Sequence, residues 1–255
     1  MPETALSVVI PVYHDAEPLG RLLATLPPAP GRQLIVANGD PDDRQLVPLR
    51  QARSDVLWVD GVRGRGAQMN AGAARAQGRW LLFLHADASL PPGWERALET
   101  AVARGCIAGC YQLAIDAAGW QPCLIEWGVR LRVRWLGVAY GDQGLFVERT
   151  RFEALGGYRE QPLMEDADLV RRLRRAGRFH RSGLRLTVSA RRWQRDGWWR
   201  RTGGNLSILV RYLTGQTPER LAASYPVWSD RERSGSAERT RDTGPGPAAG
   251  PPESR

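Results

Sequence analysis

Through the first ninety residues, short apolar runs with no polar face alternate with stretches of helical spacing. The run Leu6-Ser7-Val8-Val9-Ile10-Pro11-Val12 is β-branched and apolar. Residues 16–26 then place Leu19, Leu22, Leu23 and Leu26 at helical spacing, ended by Pro27-Pro28. Further apolar runs stand at Gln33–Ala37, Val56–Val59 and Trp80–Leu84, and Ala67–Gln77 is an Ala-rich helical stretch stopped by Gly78. Strands that are apolar throughout need cover on both faces, and intervening helices supply it. The expected fold is therefore α/β, a mostly parallel central sheet with helices on both faces.

The second half is less regular. Residues 92–104 read as a helix and 106–115 as a strand. Residues 120–138 put Leu124, Trp127, Leu131 and Trp135 on one helical face, and 198–213 form a Trp/Leu-rich helix. Both stretches add Arg to Trp and Leu, as interfacial helices do. Helices packed on a sheet show the same pattern, and packing is the expected state here. From Pro226 the chain turns to Ser, Gly, Pro, Arg and Glu, which predicts one domain over 1–225 and a disordered tail at 226–255.

Composition narrows the class. The 255 residues are 42% hydrophobic and 25% charged, an ordinary globular balance that excludes collagen-like, disordered and disulfide-scaffold chains. No run of about 18 uncharged apolar residues occurs, and the start carries no secretory signal. The three cysteines, Cys106, Cys110 and Cys123, are read as buried small hydrophobes in a reducing compartment. A cytoplasmic protein is expected, with peripheral contact on the inner face of a membrane as the further option.

The net charge is +9 and every basic residue is Arg. Residues 171–201 hold twelve arginines and one acid, Asp196. Such a stripe suits a phosphate-rich partner; a solvated Arg-rich face is the plain alternative. Aromatic interleaving suited to base stacking is missing, so no nucleic-acid partner is expected.

In open α/β sheets, ligands bind beyond the carboxyl ends of the strands. There the sequence gathers Tyr13, His14, Asp15 and Glu17; Asn38 through Asp43; Asp60 with the turn Gly61–Gly66; and His85-Ala86-Asp87. His85-Ala86-Asp87 closes the fourth strand, so His85 and Asp87 face one way about 7 Å apart and can reach one divalent ion. Met164-Glu165-Asp166-Ala167-Asp168 opens a helix, as an acidic first turn or as the setting of a carboxylate base. Tyr140-Gly141-Asp142-Gln143-Gly144 is a turn where glycines admit a ligand.

Four segments in order resemble a family-2 glycosyltransferase of the GT-A fold: SVVIPVYHDAEPL (7–19), GRGAQMNAGAARAQG (64–78) with WLLFLHADASLPPG (80–93), AYGDQGLFVERTRFEALGGY (139–158) and PLMEDADLVRRLRRAG (162–177). The likeness covers roughly residues 5–215. The set HAD, GDQG, LMED and SARRW (189–193) is similar to a narrower bacterial branch, the arsenosugar-biosynthesis glycosyltransferases, also called transferase 2, rSAM/selenodomain-associated.

The resemblance implies a nucleotide-sugar donor, UDP-linked by family habit, a small-molecule or lipid acceptor, and Mn2+ or Mg2+. It implies Pro11, Tyr13, Glu17 and Asn38 around the base and ribose, and Arg65 and Asn70 near the donor phosphates. It places His85 and Asp87 at the metal, Asp142 and Gln143 at the acceptor, and Asp166 with Glu165 at the catalytic base. His85 and Asn38 stand where the family has Asp. His is a poorer ligand for Mg2+ than for Mn2+. The other readings are a non-catalytic relative of this fold, a nucleotidyltransferase and an Arg-rich nucleic-acid binder.

Overall fold

The computed structural model describes residues 5–61 and 63–224; the predicted tail at 226–255 lies outside them. The chain opens with β1 (Leu6–Val12), α1 (Ala16–Ala24), β2 (Arg32–Asn38), α2 (Val47–Ala52), β3 (Val56–Asp60), α3 (Arg65–Ala73) and β4 (Trp80–Phe83). It continues through β5 (Ala88–Ser89), α4 (Glu95–Ala103), β6 (Ala108–Asp116), α5 (Trp120–Leu131), β7 (Leu145–Glu148) and α6 (Arg149–Ala154). Then come α7 (Glu165–Ala176), β8 (Phe179–Ser189), α8 (Arg191–Asp196), α9 (Trp198–Leu213) and α10 (Pro218–Ser224). A π-helical turn, Arg132–Leu136, continues α5, and a 3-10 turn, Gly141–Gln143, leads into β7.

The strands make one sheet in the order β3-β2-β1-β4-β7-β6-β8-β5. β7 and β5 run antiparallel to their neighbours, while β1–β2, β2–β3, β1–β4 and β6–β8 are parallel pairs. β5 starts five residues after β4 ends, yet it pairs with β8 at the far end of the sheet. Five residues reach at most about 18 Å. The sheet therefore curls until β8 comes back beside the end of β4.

Alternation along the strands explains the apolar runs. Val8, Ile10 and Val12 face one layer, where α1 contributes Leu19, Leu22 and Leu23. Val9, Ile35, Leu81 and Phe83 face the other, against Met69 of α3 and Leu169, Val170 and Leu173 of α7. Each such side chain removed from water contributes about 1.5–3 kcal/mol. Helix α3 lies so close to β1 that a Cβ at Gly72 would stand 2.5 Å from Val9 Cγ1.

The register sets the functional edge. Val12 pairs with Asn38 and Asn38 with Asp60, so the carboxyl ends of β1, β2 and β3 are level. Phe83 pairs with Leu145, which brings the turn before the antiparallel β7 to that same edge.

Three expectations need correction. β4 ends at Phe83, and Ala88 N–H bonds back to the His85 carbonyl, so His85 and Asp87 lie in a turn rather than on one strand face. Cys106 and Cys110 are buried, but Cys123 is exposed on α5. The expected packing of the aromatic stretches also fails on one side: Trp120, Leu124, Trp127 and Trp135 face solvent, while Pro122, Ile125 and Glu126 face inward. The arginines of 171–201 spread over α7, β8, α8 and the start of α9. Several are ion-paired there, among them Arg172 with Asp168 and Arg185 with Glu126.

Candidate active site

The centre of the edge is the start of α7. Met164, in a left-handed conformation (φ 67°), turns the chain so that Glu165 and Asp166 enter the helix buried. Among the described residues, His14 (φ 53°) at the end of β1 is the other non-glycine residue with this backbone. Such conformations cost about 1–3 kcal/mol and gather at functional sites.

Asp166 is 2% exposed. Its Oδ2 accepts the Gly141 N–H at 3.0 Å and faces Arg65 Nη2 at 3.0 Å. Its Oδ1 is buried and has no hydrogen-bond partner. Burial pushes the Asp166 carboxyl up to about 6; Arg65 opposes that rise and Glu165 adds to it. A carboxylate in that range is mostly ionised at neutral pH and still basic enough to accept a proton. Arg65 gives Nε to Glu165 and Nη2 to Asp166, so both nitrogens serve the base rather than open space.

His85 completes this corner. A Cβ on Gly141 would stand 2.6 Å from His85 Nε2 and 2.8 Å from Asp166 Oδ2. Three elements therefore meet where only a glycine fits. His85 Nε2 is buried without a partner, and burial, then Arg65 and Arg192, hold the imidazole's pKa far below its usual value. The ring is neutral at physiological pH. His85 turns to Gly141 and Asp166, while Asp87 Oδ2 lies 3.7 Å from Arg191 Nη2. Arg191 also reaches Asp15 Oδ1 at 2.9 Å and so ties β8's end to β1's.

Asp142 leaves Oδ1 buried and unpartnered. Burial raises its pKa; Arg132 and Arg65 oppose this and Asp87 adds to it. Arg65, His85, Asp87, Asp142 and Asp166 thus share one neighbourhood.

Other expected site residues have different work. Asn38 is 1% exposed, with Nδ2 donating to Asp60 at 2.9 Å and Oδ1 accepting from Asp40 N at 3.1 Å. Its amide straps the loop after β2 and is not free to read a base. Asn70 exchanges two hydrogen bonds with the Tyr158 backbone, at 2.7 and 2.9 Å, and clamps that loop instead of a phosphate. Gln143, 2% exposed, donates to the Tyr111 carbonyl at 3.2 Å and accepts from Arg132 at 3.1 Å, so it holds the 140–143 turn in place. Glu165, 3% exposed, anchors Arg65. Glu17 points to solvent with Arg21. Pro11 sits half-buried within β1. Tyr13 is half-buried, with the Arg63 guanidinium 4.5 Å above its ring, and His14 lies 3.1 Å from Asp40.

The sequence reading missed Arg191, Arg132 and the spacing role of Gly141. The SARRW segment held the signal for Arg191, but only the curl of the sheet shows which acids it meets.

No group of three or more His, Cys, Asp or Glu among the described residues can hold a metal ion by itself. Asp87 is a hard oxygen donor of the kind Mn2+ and Mg2+ take, and such ions are commonly held by one or two carboxylates together with substrate phosphates. A carboxylate such as Asp87 fits an ion shared with a diphosphate. A cavity of about 390 Å³ lies behind Asp87, lined by Arg21, Asp116 and Thr187 among others. Tyr13, Arg65, His85 and Asp166 do not line it, so the candidate site is not that cavity.

Residues 7–121 match the family described as Glycosyl transferase family 2. No curated protein matches the chain by sequence. Among solved structures, the chain is similar to the mannosyltransferase PcManGT from Pyrobaculum calidifontis in complex with GDP-Man and Mn2+. That likeness has 15% identity and a TM-score of 0.62, over 94% of this chain and 75% of that one. It is also similar to TarS 1–349 of S. aureus in complex with UDP, at 12% identity and a TM-score of 0.57. That second likeness covers 72% of this chain and 60% of the TarS chain, so this chain spans under two thirds of its length. The fold is that of the GT-A glycosyltransferases.

Proposed function

We propose that the chain transfers a glycosyl group from a nucleotide-diphospho-sugar to a hydroxyl of a small-molecule or lipid acceptor, with inversion at the anomeric carbon. The observation that carries this is Asp166. It is one buried carboxylate with Oδ2 fixed by Gly141 and Arg65, Oδ1 free, and a pKa pushed up to about 6. In a single displacement the acceptor oxygen bonds to the anomeric carbon as the bond from that carbon to the diphosphate oxygen breaks. The acceptor proton passes to the Asp166 carboxylate, and a nucleoside diphosphate leaves. Arg65 keeps the base ionised, and the Gly141 N–H fixes its direction.

Asp87 is the residue to hold Mn2+ or Mg2+ with the diphosphate. Such an ion, when bound, neutralises charge on the leaving group. Tyr13 and the Arg63 stacked on its ring are of the kind suited to a base and its phosphates. PcManGT is described with GDP-Man and TarS with UDP, so the nucleotide has to be tested rather than taken from family habit. The HAD, GDQG, LMED and SARRW set supports membership of the arsenosugar branch.

The test is a thermal-shift screen of UDP- and GDP-sugars with Mn2+ and with chelator, followed by product analysis. Release of nucleoside diphosphate with an inverted product is expected. Release of pyrophosphate from an NTP and a sugar phosphate would make the chain a nucleotidyltransferase. Failure of every nucleotide sugar to bind would leave it a non-catalytic relative.

A further inference from the structure

Helices α5 and α9 each carry two apolar faces. The inward face of α5 buries Ile125 against Leu113 and Ile115, and that of α9 buries Ile208 and Leu209 against Val138 and Met164. The outward face of α5 shows Trp120, Leu124 and Trp127 at i, i+4 and i+7, with Trp120 63% exposed. The outward face of α9 shows Trp199, Leu206, Val210 and Leu213 at i, i+7, i+11 and i+14. The Trp120 and Trp199 rings touch, centroids 5.4 Å apart, so the two stripes meet at their N-terminal ends. Trp135, 74% exposed, prolongs the α5 stripe along the π turn. Soluble surfaces rarely expose contiguous apolar patches of this kind without a partner.

Charge identifies the partner. Residues 120–136 carry Arg130, Arg132 and Arg134, and their one acid, Glu126, is buried on Arg185. Helix α9 carries no acid and the arginines Arg200, Arg201 and Arg211, of which Arg201 is held inward by Asp196. Exposed Trp and Leu framed by Arg, without exposed acids, is the composition of a helix lying in the headgroup layer of an anionic bilayer. The patch also adjoins the candidate site. The π turn leads through Gly137 to Tyr140, where Arg132 stacks at 3.8 Å, and Ile208 and Leu209 pack with Met164 just before Asp166.

We infer that the α5–α9 face docks on an anionic membrane surface, with the 140–143 side of the candidate site turned towards the lipid. The docking stands without the transfer reaction, and its test does not use activity. The full chain is floated with vesicles of phosphatidylglycerol in phosphatidylcholine, and with phosphatidylcholine alone, at low and high salt. Co-flotation with the anionic vesicles at low salt is expected, weakened by salt. The double variant Trp127→Ser, Trp135→Ser should partition at least tenfold less, and Arg130→Glu, Arg134→Glu should lose the preference for anionic lipid. Both pairs are exposed, and circular dichroism checks that the variants fold. Failure of the wild type to float at low salt, or equal flotation of the Trp variant, overturns the inference. A dimer in solution that Trp127→Ser, Trp135→Ser dissociates, with no flotation, would give the face to a second copy and overturn it as well.

Discussion

The backbone N–H of Gly141 donates to Asp166 Oδ2 across 3.0 Å, joining the turn before β7 to the first turn of α7. A methyl group at Gly141 would collide with both His85 Nε2 and that carboxylate. The relationship makes the direction of the proposed base depend on a residue with no side chain.

Gly141→Ala should therefore lower kcat at least tenfold while leaving donor affinity nearly unchanged. The displaced neighbours should cost about 1–3 kcal/mol of stability. Steady-state kinetics, donor titration and thermal melts of the variant check this. Unchanged kcat would mean that the turn does not set the base.

Asp166→Asn keeps the volume and removes the basic oxygen. General-base help is typically about 10²–10⁴-fold, and kcat should fall within that range. Donor dissociation constants, measured by calorimetry, should stay within about twofold of wild type.

Arg65 holds Glu165 and Asp166, both nearly inaccessible. Arg65→Gln removes the positive charge that opposes the rise of the Asp166 pKa. The ascending limb of the rate profile should move to higher pH. Leaving buried carboxylates without a charged partner should destabilise the fold by about 1–3 kcal/mol. A limb that stays in place would separate Arg65 from the base.

Asp87→Ala should abolish the difference in donor binding between Mn2+ and chelator, whereas His85→Ala should preserve that difference. The contrast follows from Asp87 facing Arg191 and His85 facing Gly141. Calorimetric titration of donor with and without Mn2+ reads it directly. Loss of the metal effect in His85→Ala would restore His85 to the ligand set.

The first half of the fold was legible because β1, β2 and β4 are covered on both faces, so burial alone writes them as apolar runs. β8 was not, since Arg181 and Arg185 point outward from alternate places while Ser182, Leu186 and Val188 point in. Its arginines hide the period. Asp166, Asp87 and Arg65 stood out as candidates because they lie next to helix starts and strand ends. The hydrogen bonds of the Asn38, Asn70 and Gln143 amides could not be read from the sequence. Their partners are backbone groups and an acid from distant loops, which no local spacing shows. The outward Trp stripes were misread because a helical face looks the same whether a sheet or a lipid covers it.

The most direct test of Asp166 as the base is the pH dependence of single-turnover transfer in wild type and Asp166→Asn. Burial raises the folded pKa of Asp166 from its ordinary 3.8 to about 6. The carboxylate, and with it the wild-type rate, should grow as pH rises through about 6 and level off above it, while the residual rate of Asp166→Asn shows no such limb. A wild-type rate flat from pH 5 to 8, or the same limb in Asp166→Asn, would contradict the account.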